Sequence, residues 1–95
     1  MNRNPKKWEF VKPKDFRDQV LGLLKSIRPR LTEIMTLLSE SNNPLGLGKR
    51  KLTKYGEFYT IKLNDSYRLS YDLDPKDRKI IIYRVGDHNF VYRKK

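Results

Sequence analysis

Two segments of alternating apolar residues, Phe58–Leu63 and Tyr67–Leu73, constrain the fold more than any other part of the sequence. Each has the period of two that a half-buried β-strand requires, so together they predict a hairpin. The apolar positions that share one face are Tyr59, Ile61, Leu63, Tyr67, Leu69, Tyr71 and Leu73. The three residues between the segments, Asn64-Asp65-Ser66, are typical turn formers.

The apolar pattern also predicts the register of this hairpin. A three-residue loop sets Ile61 opposite Leu69 and puts all the apolar side chains on one face. A two-residue loop would set Ile61 opposite Arg68 and bury a charge, because a slip of one residue moves every side chain to the other face. We therefore expect the three-residue loop.

The same register sets Lys62 opposite Arg68, on the face away from the apolar core. Two facing cations repel and weaken a strand pair slightly, and a bound anion such as a phosphate would relieve that repulsion. Two solvated side chains that splay apart would also relieve it. The sheet pattern alone leaves both interpretations open.

The remaining segments predict two helices and two further strands. The expected elements are a strand over 7–12, helices over about 14–27 and 30–40, a linker over 45–56 and a strand over 79–85. An apolar stripe at helical spacing comprises Phe16, Val20, Leu23, Leu24, Ile27, Leu31, Ile34, Met35 and Leu38. Pro29 interrupts this stripe, so we expect two consecutive helices or one kinked helix. The apolar run Ile80-Ile81-Ile82 predicts a central strand that is buried on both faces.

These elements predict an α+β fold in the order β-α-α-β-β-β. We expect both N-terminal helices to pack on one face of a mainly antiparallel four-stranded sheet. The length of 95 residues fits one domain that spans residues 1–95.

A formal net charge of +11 indicates a polyanionic partner, because basic side chains bind phosphates and release counterions.

The absence of cysteine excludes disulfides and thiolate zinc sites, and a single histidine excludes a multi-histidine metal centre. No apolar run approaches the roughly 20 residues of a membrane span, and none follows the basic N terminus as in a secretory signal. We therefore expect neither a metal nor a membrane.

Candidate functional side chains lie near the C terminus and in the basic linker. His88 follows Gly86 at the end of the last predicted strand, and histidine transfers protons near neutral pH. Tyr92 offers a ring that stacks on bases and a hydroxyl that binds phosphate. The run Lys49-Arg50-Lys51 and nearby Lys54 suit contacts to a nucleic-acid backbone. A lone histidine and a basic run are also common on ordinary solvated surfaces.

The order and spacing of these segments resemble the RelE/ParE superfamily of toxins from type II toxin–antitoxin systems. Residues 59–71 (YTIKLNDSYRLSY) are similar to that family's Y-x-I-K-L…Y-R-L-x-Y hairpin. Residues 85–93 (VGDHNFVYR) resemble its V-G-x-[HR]-x(2–4)-V-Y-R tail. Leu37-Leu38 followed by Asn43-Pro44 fits the end of its second helix, so the resemblance covers almost the whole chain.

The resemblance implies a cytoplasmic endoribonuclease that cleaves mRNA in the ribosomal A site without a metal or other cofactor. The 2′-hydroxyl attacks the adjacent phosphate and leaves a cyclic phosphate. By position, Arg68 would stabilise the transition-state phosphate, Lys62 would assist it, and His88 would protonate the leaving oxygen. Tyr92 would act as a base or stack on RNA, and Glu57 is a further candidate base because an acid lies near this position in the YoeB branch. The expected RNA contacts are Lys49, Arg50, Lys51, Lys54 and Arg93.

The same resemblance implies a cognate antitoxin in a hetero-oligomeric complex, with the ribosome and mRNA as the other partners. This chain has Thr60 where the RelE branch often has a second lysine, which removes one candidate phosphate contact. The ParE branch shares the fold, inhibits DNA gyrase and lacks these catalytic groups. A ParE-like gyrase inhibitor and a non-catalytic basic nucleic-acid-binding module are therefore the alternative functions.

Overall fold

A five-stranded mixed sheet organises the computed structural model, which describes residues 7–54 and 56–92. The strands are β1 (Glu9–Val11), β2 (Lys49–Thr53), β3 (Gly56–Lys62), β4 (Tyr67–Asp74) and β5 (Lys79–Asp87). The helices are α1 (Phe16–Leu21), α2 (Arg28–Glu40) and α3 (His88–Tyr92), and a 3₁₀ turn covers Pro44–Leu47. None of the helices in these ranges is long and apolar enough to cross a membrane.

The strands lie in the order β1-β5-β4-β3-β2, with β1 parallel to β5 and the other neighbours antiparallel. This arrangement confirms the α+β class and the mainly antiparallel sheet but corrects the predicted number of strands. β2 lies in the segment that the sequence predicts as a linker. Because its side chains are largely exposed, no apolar alternation marks it, and it is held by backbone pairing with β3 from Lys49–Thr60 to Thr53–Gly56. Lysine-rich, exposed strands are typical of sheet edges.

The β3–β4 hairpin has the predicted register. Ile61 lies opposite Leu69, and Lys62 lies opposite Arg68. The amide of Leu63 donates to the carbonyl of Tyr67 at 2.9 Å, which closes the three-residue loop. The apolar face of the hairpin therefore packs on the helices, and the cations lie on the other face.

Both predicted N-terminal helices are present, and the first is shorter than expected. α1 ends at Leu21, directly before Gly22, a residue that destabilises helices. α2 begins two residues earlier than predicted, because Pro29 lies in its first turn, where the missing N–H needs no acceptor. Nη2 of Arg28 donates to the carbonyls of Leu21 at 3.0 Å and Leu23 at 3.2 Å, which ties the two helices together.

The hydrophobic core lies between α1, α2 and one face of the sheet. Its buried side chains are Trp8, Leu23, Ile27, Leu31, Ile34, Leu38, Leu63, Leu69, Tyr71, Ile80, Ile82 and Val85. β5 is interior to the sheet, as predicted, but only its helix-facing side is fully buried, because Ile81 and Tyr83 on the strand are half-buried. Tyr83 is an extra residue at a β-bulge opposite the Ser70–Tyr71 step of β4. Beyond this bulge, Oε1 of Gln19 accepts from the amide of Val85 at 2.9 Å and joins α1 to the strand.

Tyr71 connects the sheet to the 3₁₀ turn. Its side chain is fully buried, and its hydroxyl donates to the carbonyl of Pro44 at 2.7 Å. Burial, with a smaller contribution from Tyr59, raises the pKa of Tyr71 to about 12. The approach is so close that a Cβ at Gly48 would lie 2.5 Å from the Tyr71 hydroxyl oxygen, which requires glycine there.

Tyr71→Phe should destabilise the protein near neutral pH by about 1–3 kcal/mol, because the buried Pro44 carbonyl loses its donor. The phenol ionises near pH 10.0 when unfolded and near pH 12 when folded. Its contribution to stability is therefore present below pH 10 and is lost as the pH rises towards 12. Chemical denaturation of both proteins across this range measures the effect. A wild-type advantage that did not shrink in alkali would contradict it.

Candidate active site

A groove of about 470 Å³ runs along β2, β3 and β4. Five cations line it: Arg30, Lys49, Lys51, Lys62 and Arg68. His88 and Tyr92 of α3 and the buried Thr60 of β3 line it as well. None of the lining residues within 7–54 and 56–92 is acidic, so the groove concentrates positive potential.

Lys62 and Arg68 face each other across the β3–β4 pair, where like charges repel. The loop before Arg68 offsets this repulsion with backbone oxygens. Nη1 of Arg68 donates to the carbonyls of Asn64 at 2.8 Å, Asp65 at 3.0 Å and Tyr67 at 3.2 Å. Since these bonds use Nη1, an anion in the groove would be bound through Nη2 and Nε, the other donors of the guanidinium fork.

α3 brings His88 and Tyr92 to the same groove. The sequence predicts that the strand ends by Val85, but β5 continues to Asp87 and α3 follows at once. Oδ1 of Asp87 accepts from the amide of Phe90 at 2.9 Å and caps this short helix. His88 and Tyr92 are four residues apart and share a helical face. Their ring centroids lie 4.2 Å apart in an edge-on contact.

Tyr92 packs on β2 and β3. Its hydroxyl shares a hydrogen bond with Oγ1 of Thr60 at 3.3 Å, and its ring centroid lies 5.9 Å from that of Phe58. Nζ of Lys51 lies 5.8 Å from the same ring, within the range of a cation–π contact. Thr60, the position at which the sequence departs from the lysine expected of the RelE branch, therefore orients Tyr92 through this hydrogen bond.

Phe90 seats α3 on the sheet. Its ring lies 4.7 Å from the guanidinium carbon of Arg84, and its carbonyl accepts from Nη1 of Arg84 at 3.0 Å. A Cβ at Gly86 would lie 2.8 Å from Cδ2 of Phe90, so only glycine leaves room for the ring. Val91 is buried beside it with 4% exposure. These contacts fix the position of His88 and Tyr92 relative to the sheet.

β2 separates basic residues that the sequence groups together. Lys49 and Lys51 line the groove, and Lys49 lies directly opposite Thr60. Arg50 alternates to the other face of the strand, where it forms an ion pair with Glu57. Neither residue of this pair lines the groove, so Glu57, a candidate base in the sequence analysis, lies away from the other candidates.

Three further cations differ in their position relative to the groove. Arg30 lines the groove and was not predicted. The signal available for it is helical spacing, because Arg30 is four residues before Ile34, which also lines the groove. Lys54 lies in the turn after β2, and the described lining of the groove does not include it. Arg93 lies outside the described residues.

The side chains at this groove are suited to anions. Guanidinium and ammonium groups bind phosphate oxygens, and an imidazole beside a phenol adds groups that transfer protons. No cluster of three or more His, Cys, Asp or Glu side chains that could hold a metal ion occurs in residues 7–54 and 56–92.

Solved toxin structures share this architecture. A chain of the archaeal RelE–RelB complex from Pyrococcus horikoshii OT3 aligns with a TM-score of 0.67 and 21% identity, over 85% of this chain and 94% of that one. YafQ from E. coli strain BL21(DE3) aligns with a TM-score of 0.68 and 19% identity, over 90% of this chain and 99% of that one. The chain has a RelE-like toxin fold. The YoeB dimer from Staphylococcus aureus has it too, with a TM-score of 0.63 and 18% identity over 86% of this chain and 98% of that one.

No protein-family model matches the sequence, and no curated protein matches it either. Identities of 18–21% establish the RelE-like fold alone. One fold supports several activities, so the side chains in the groove, rather than the fold, decide the function.

Gly86→Ala should displace α3 from the sheet, because the added Cβ would lie 2.8 Å from Cδ2 of Phe90. Overpacking of this kind costs about 1–3 kcal/mol, so the melting temperature should fall. The shifted helix should also separate Tyr92 from Phe58. Thermal unfolding and the nuclear Overhauser effects between these two rings measure both changes.

Gly22→Ala is the matched control for this substitution. A Cβ at Gly22 would meet its nearest atom, the Gln19 carbonyl oxygen, at 3.4 Å, which is close to ordinary contact. This variant should keep the contact between the rings. A Gly86→Ala protein with the same ring contact and melting temperature as wild type would show that α3 does not depend on this glycine.

Proposed function

We propose that this chain is the toxin of a type II toxin–antitoxin system and that it cleaves mRNA bound in the ribosomal A site. The observation that carries the proposal is that Lys62, Arg68, His88 and Tyr92 line one cationic groove. They do so in a fold shared with RelE, YafQ and YoeB. The family resemblance implies that Arg68 and Lys62 stabilise the phosphate and that His88 protonates the leaving oxygen. It implies for Tyr92 the role of a base or of a stacking residue.

In the proposed reaction, the 2′-oxygen of one nucleotide forms a bond to the phosphorus that follows it. The bond from that phosphorus to the 5′-oxygen of the next nucleotide breaks, which yields a cyclic phosphate and a free 5′-hydroxyl. Negative charge accumulates on the phosphate oxygens in the transition state. Arg68 and Lys62 face each other across the strand pair and would stabilise that charge from both sides. The bound phosphate would in turn relieve their mutual repulsion.

Two protons move in this reaction, one from the 2′-hydroxyl and one to the 5′-oxygen. His88 is the proposed donor to the leaving oxygen, because an imidazolium is an effective acid near neutral pH. Tyr92 and Lys62 are the candidate acceptors for the other proton. The Tyr92 ring, which is edge-on to His88, also offers a surface on which an RNA base can stack.

An antitoxin is the proposed protein partner, in a hetero-oligomeric complex in the cytoplasm. A structure with the same fold is a complex of RelE with RelB. The net charge of +11 favours an acidic partner, since complementary charge speeds association and gives specificity. Such a partner would neutralise the groove cations and prevent RNA from binding.

Arg68→Ala should relieve the growth arrest that induction of the wild-type chain without an antitoxin causes. Removing one preorganised donor for a transition-state oxyanion costs about 10²- to 10³-fold in rate. Arg50→Ala is the matched control, because it removes the same charge from a residue that does not line the groove. Growth curves and primer extension on mRNA from purified translating ribosomes measure the effect.

Other outcomes of this experiment would identify a different function. Growth arrest that survived both Arg68→Ala and His88→Ala, together with loss of DNA supercoiling, would identify a gyrase inhibitor. Harmless expression of the wild-type chain, with ribosome-bound mRNA left intact, would leave a basic nucleic-acid-binding module.

Lys51→Ala should weaken RNA binding and make the affinity less dependent on salt concentration. Each phosphate contact to a single strand contributes about 0.7 to the slope of log affinity against log salt concentration, so this variant should lose about that much. Arg50→Ala changes the charge equally, but this arginine is paired with Glu57 outside the groove, so the slope should stay unchanged. Fluorescence anisotropy with a short single-stranded RNA over a salt series measures both. Equal slope changes in the two variants would show that net charge rather than position governs binding.

A further inference from the structure

The loop between β3 and β4 contacts two of the candidate catalytic residues. Its first two carbonyls, of Asn64 and Asp65, accept from Nη1 of Arg68 at 2.8 and 3.0 Å. The next carbonyl, of Ser66, accepts from the backbone amide of His88 at 3.1 Å. Three consecutive backbone oxygens therefore hold the guanidinium on β4 and the first residue of α3.

The side chain of Asn64 sets the shape of this loop. Its Oδ1 accepts from the amides of Ser66 and Tyr67, both at 2.8 Å. In a trans peptide, the N–H and the preceding C=O lie in one plane and point in opposite directions. Fixing the amide of Ser66 therefore orients the carbonyl of Asp65, and fixing the amide of Tyr67 orients the carbonyl of Ser66. These are the carbonyls that bind Arg68 and His88.

We propose that Asn64 is a positioning residue for RNA cleavage, an inference that rests on the function proposed above. Through two peptide groups, its amide oxygen aligns the guanidinium of Arg68 with the start of α3. Asn64 is not among the described residues that line the groove. It therefore acts on the reaction through its neighbours rather than by contact with RNA.

Both positioned groups need such support. Arg68 has a long side chain that loses rotamer freedom when it is fixed, and Lys62 opposite repels it. α3 has five residues, far fewer than the roughly 12–15 that an isolated helix needs in water, so its position depends on external contacts. Groups fixed before the substrate arrives need no reorganisation in the transition state, and a misplacement of about 1 Å can cost 10²-fold in rate.

The experiment compares wild type with three variants: Asn64→Ala, Asn64→Asp and Asp74→Ala. Asn64→Asp keeps an oxygen that accepts the same two N–H groups. Asp74→Ala is the matched control, because Oδ1 of Asp74 accepts from the amide of Asp77 at 3.4 Å in the turn at the other end of β4. Single-turnover cleavage of ribosome-bound mRNA, over a range of protein concentrations, separates the maximal rate from the half-saturating concentration. Hydrogen exchange of the His88 amide reports on the loop in the absence of RNA.

Asn64→Ala should lower the maximal rate by about 10- to 100-fold and change the half-saturating concentration by less than about threefold. Its His88 amide should exchange faster than in wild type. Asn64→Asp should recover most of the rate, although its negative charge should raise the half-saturating concentration. Asp74→Ala should match wild type in rate and in His88 exchange.

The inference fails if Asn64→Ala cleaves at the wild-type rate, or if Asp74→Ala loses as much activity, since general destabilisation would then explain the loss. Failure of the proposed function is separate, because the wild-type chain would then leave ribosome-bound mRNA uncut. In that case, hydrogen exchange of the His88 amide still tests whether Asn64 positions the start of α3. Unchanged exchange in Asn64→Ala would overturn the positioning role, and faster exchange in that variant alone would support it.

Discussion

The pairing of Ile61 with Leu69 is the constraint on which the rest of the structure depends. Burial of the apolar side chains selects this register, because a slip of one residue would expose the core face and bury charge. The same register also determines the other face of the hairpin, where it sets Lys62 opposite Arg68. The alternation of side chains along β3 and β4 therefore forms both the core and the cationic face. A stable core here brings with it a local repulsion that the three-residue loop offsets with its backbone oxygens.

The cationic face becomes a site only because α3 covers part of it. A helix of five residues has too few internal hydrogen bonds to hold its own position, so docking determines where His88 and Tyr92 lie. Phe90 packs over Gly86, and the hydroxyl of Tyr92 reaches Thr60 on β3. Contacts with the sheet therefore determine where the imidazole and the phenol lie, although both belong to a helix of only five residues.

Sequence could predict the elements that bury one face, because burial leaves a periodic pattern. The β3–β4 register and α2 follow from such patterns, as does the pairing of Lys62 with Arg68. β2 leaves no pattern, since it is held by backbone pairing at an exposed edge. Lys51 and Arg50 lie on opposite faces of β2, and this difference cannot be predicted until the segment is known to be a strand. Helical spacing puts Arg30 one turn before Ile34, but only the tertiary packing of α2 brings this face of the helix to the groove.

Charge is distributed differently on the two faces of β2. Arg50 has a carboxylate partner in Glu57, so the face of the edge strand opposite the groove is locally neutralised. On the groove face, Lys49 and Lys51 join Lys62, Arg68 and Arg30. Arg30 pairs with Glu33, and the described lining itself contains no acid. Like charges that lie close together repel and lower the stability of the folded chain, whereas acidic residues placed between them would reduce this repulsion. Lys49, Lys51, Lys62 and Arg68 therefore have no acidic residue beside them in the described lining, and the polyanion of the proposed function would offset this concentration of charge.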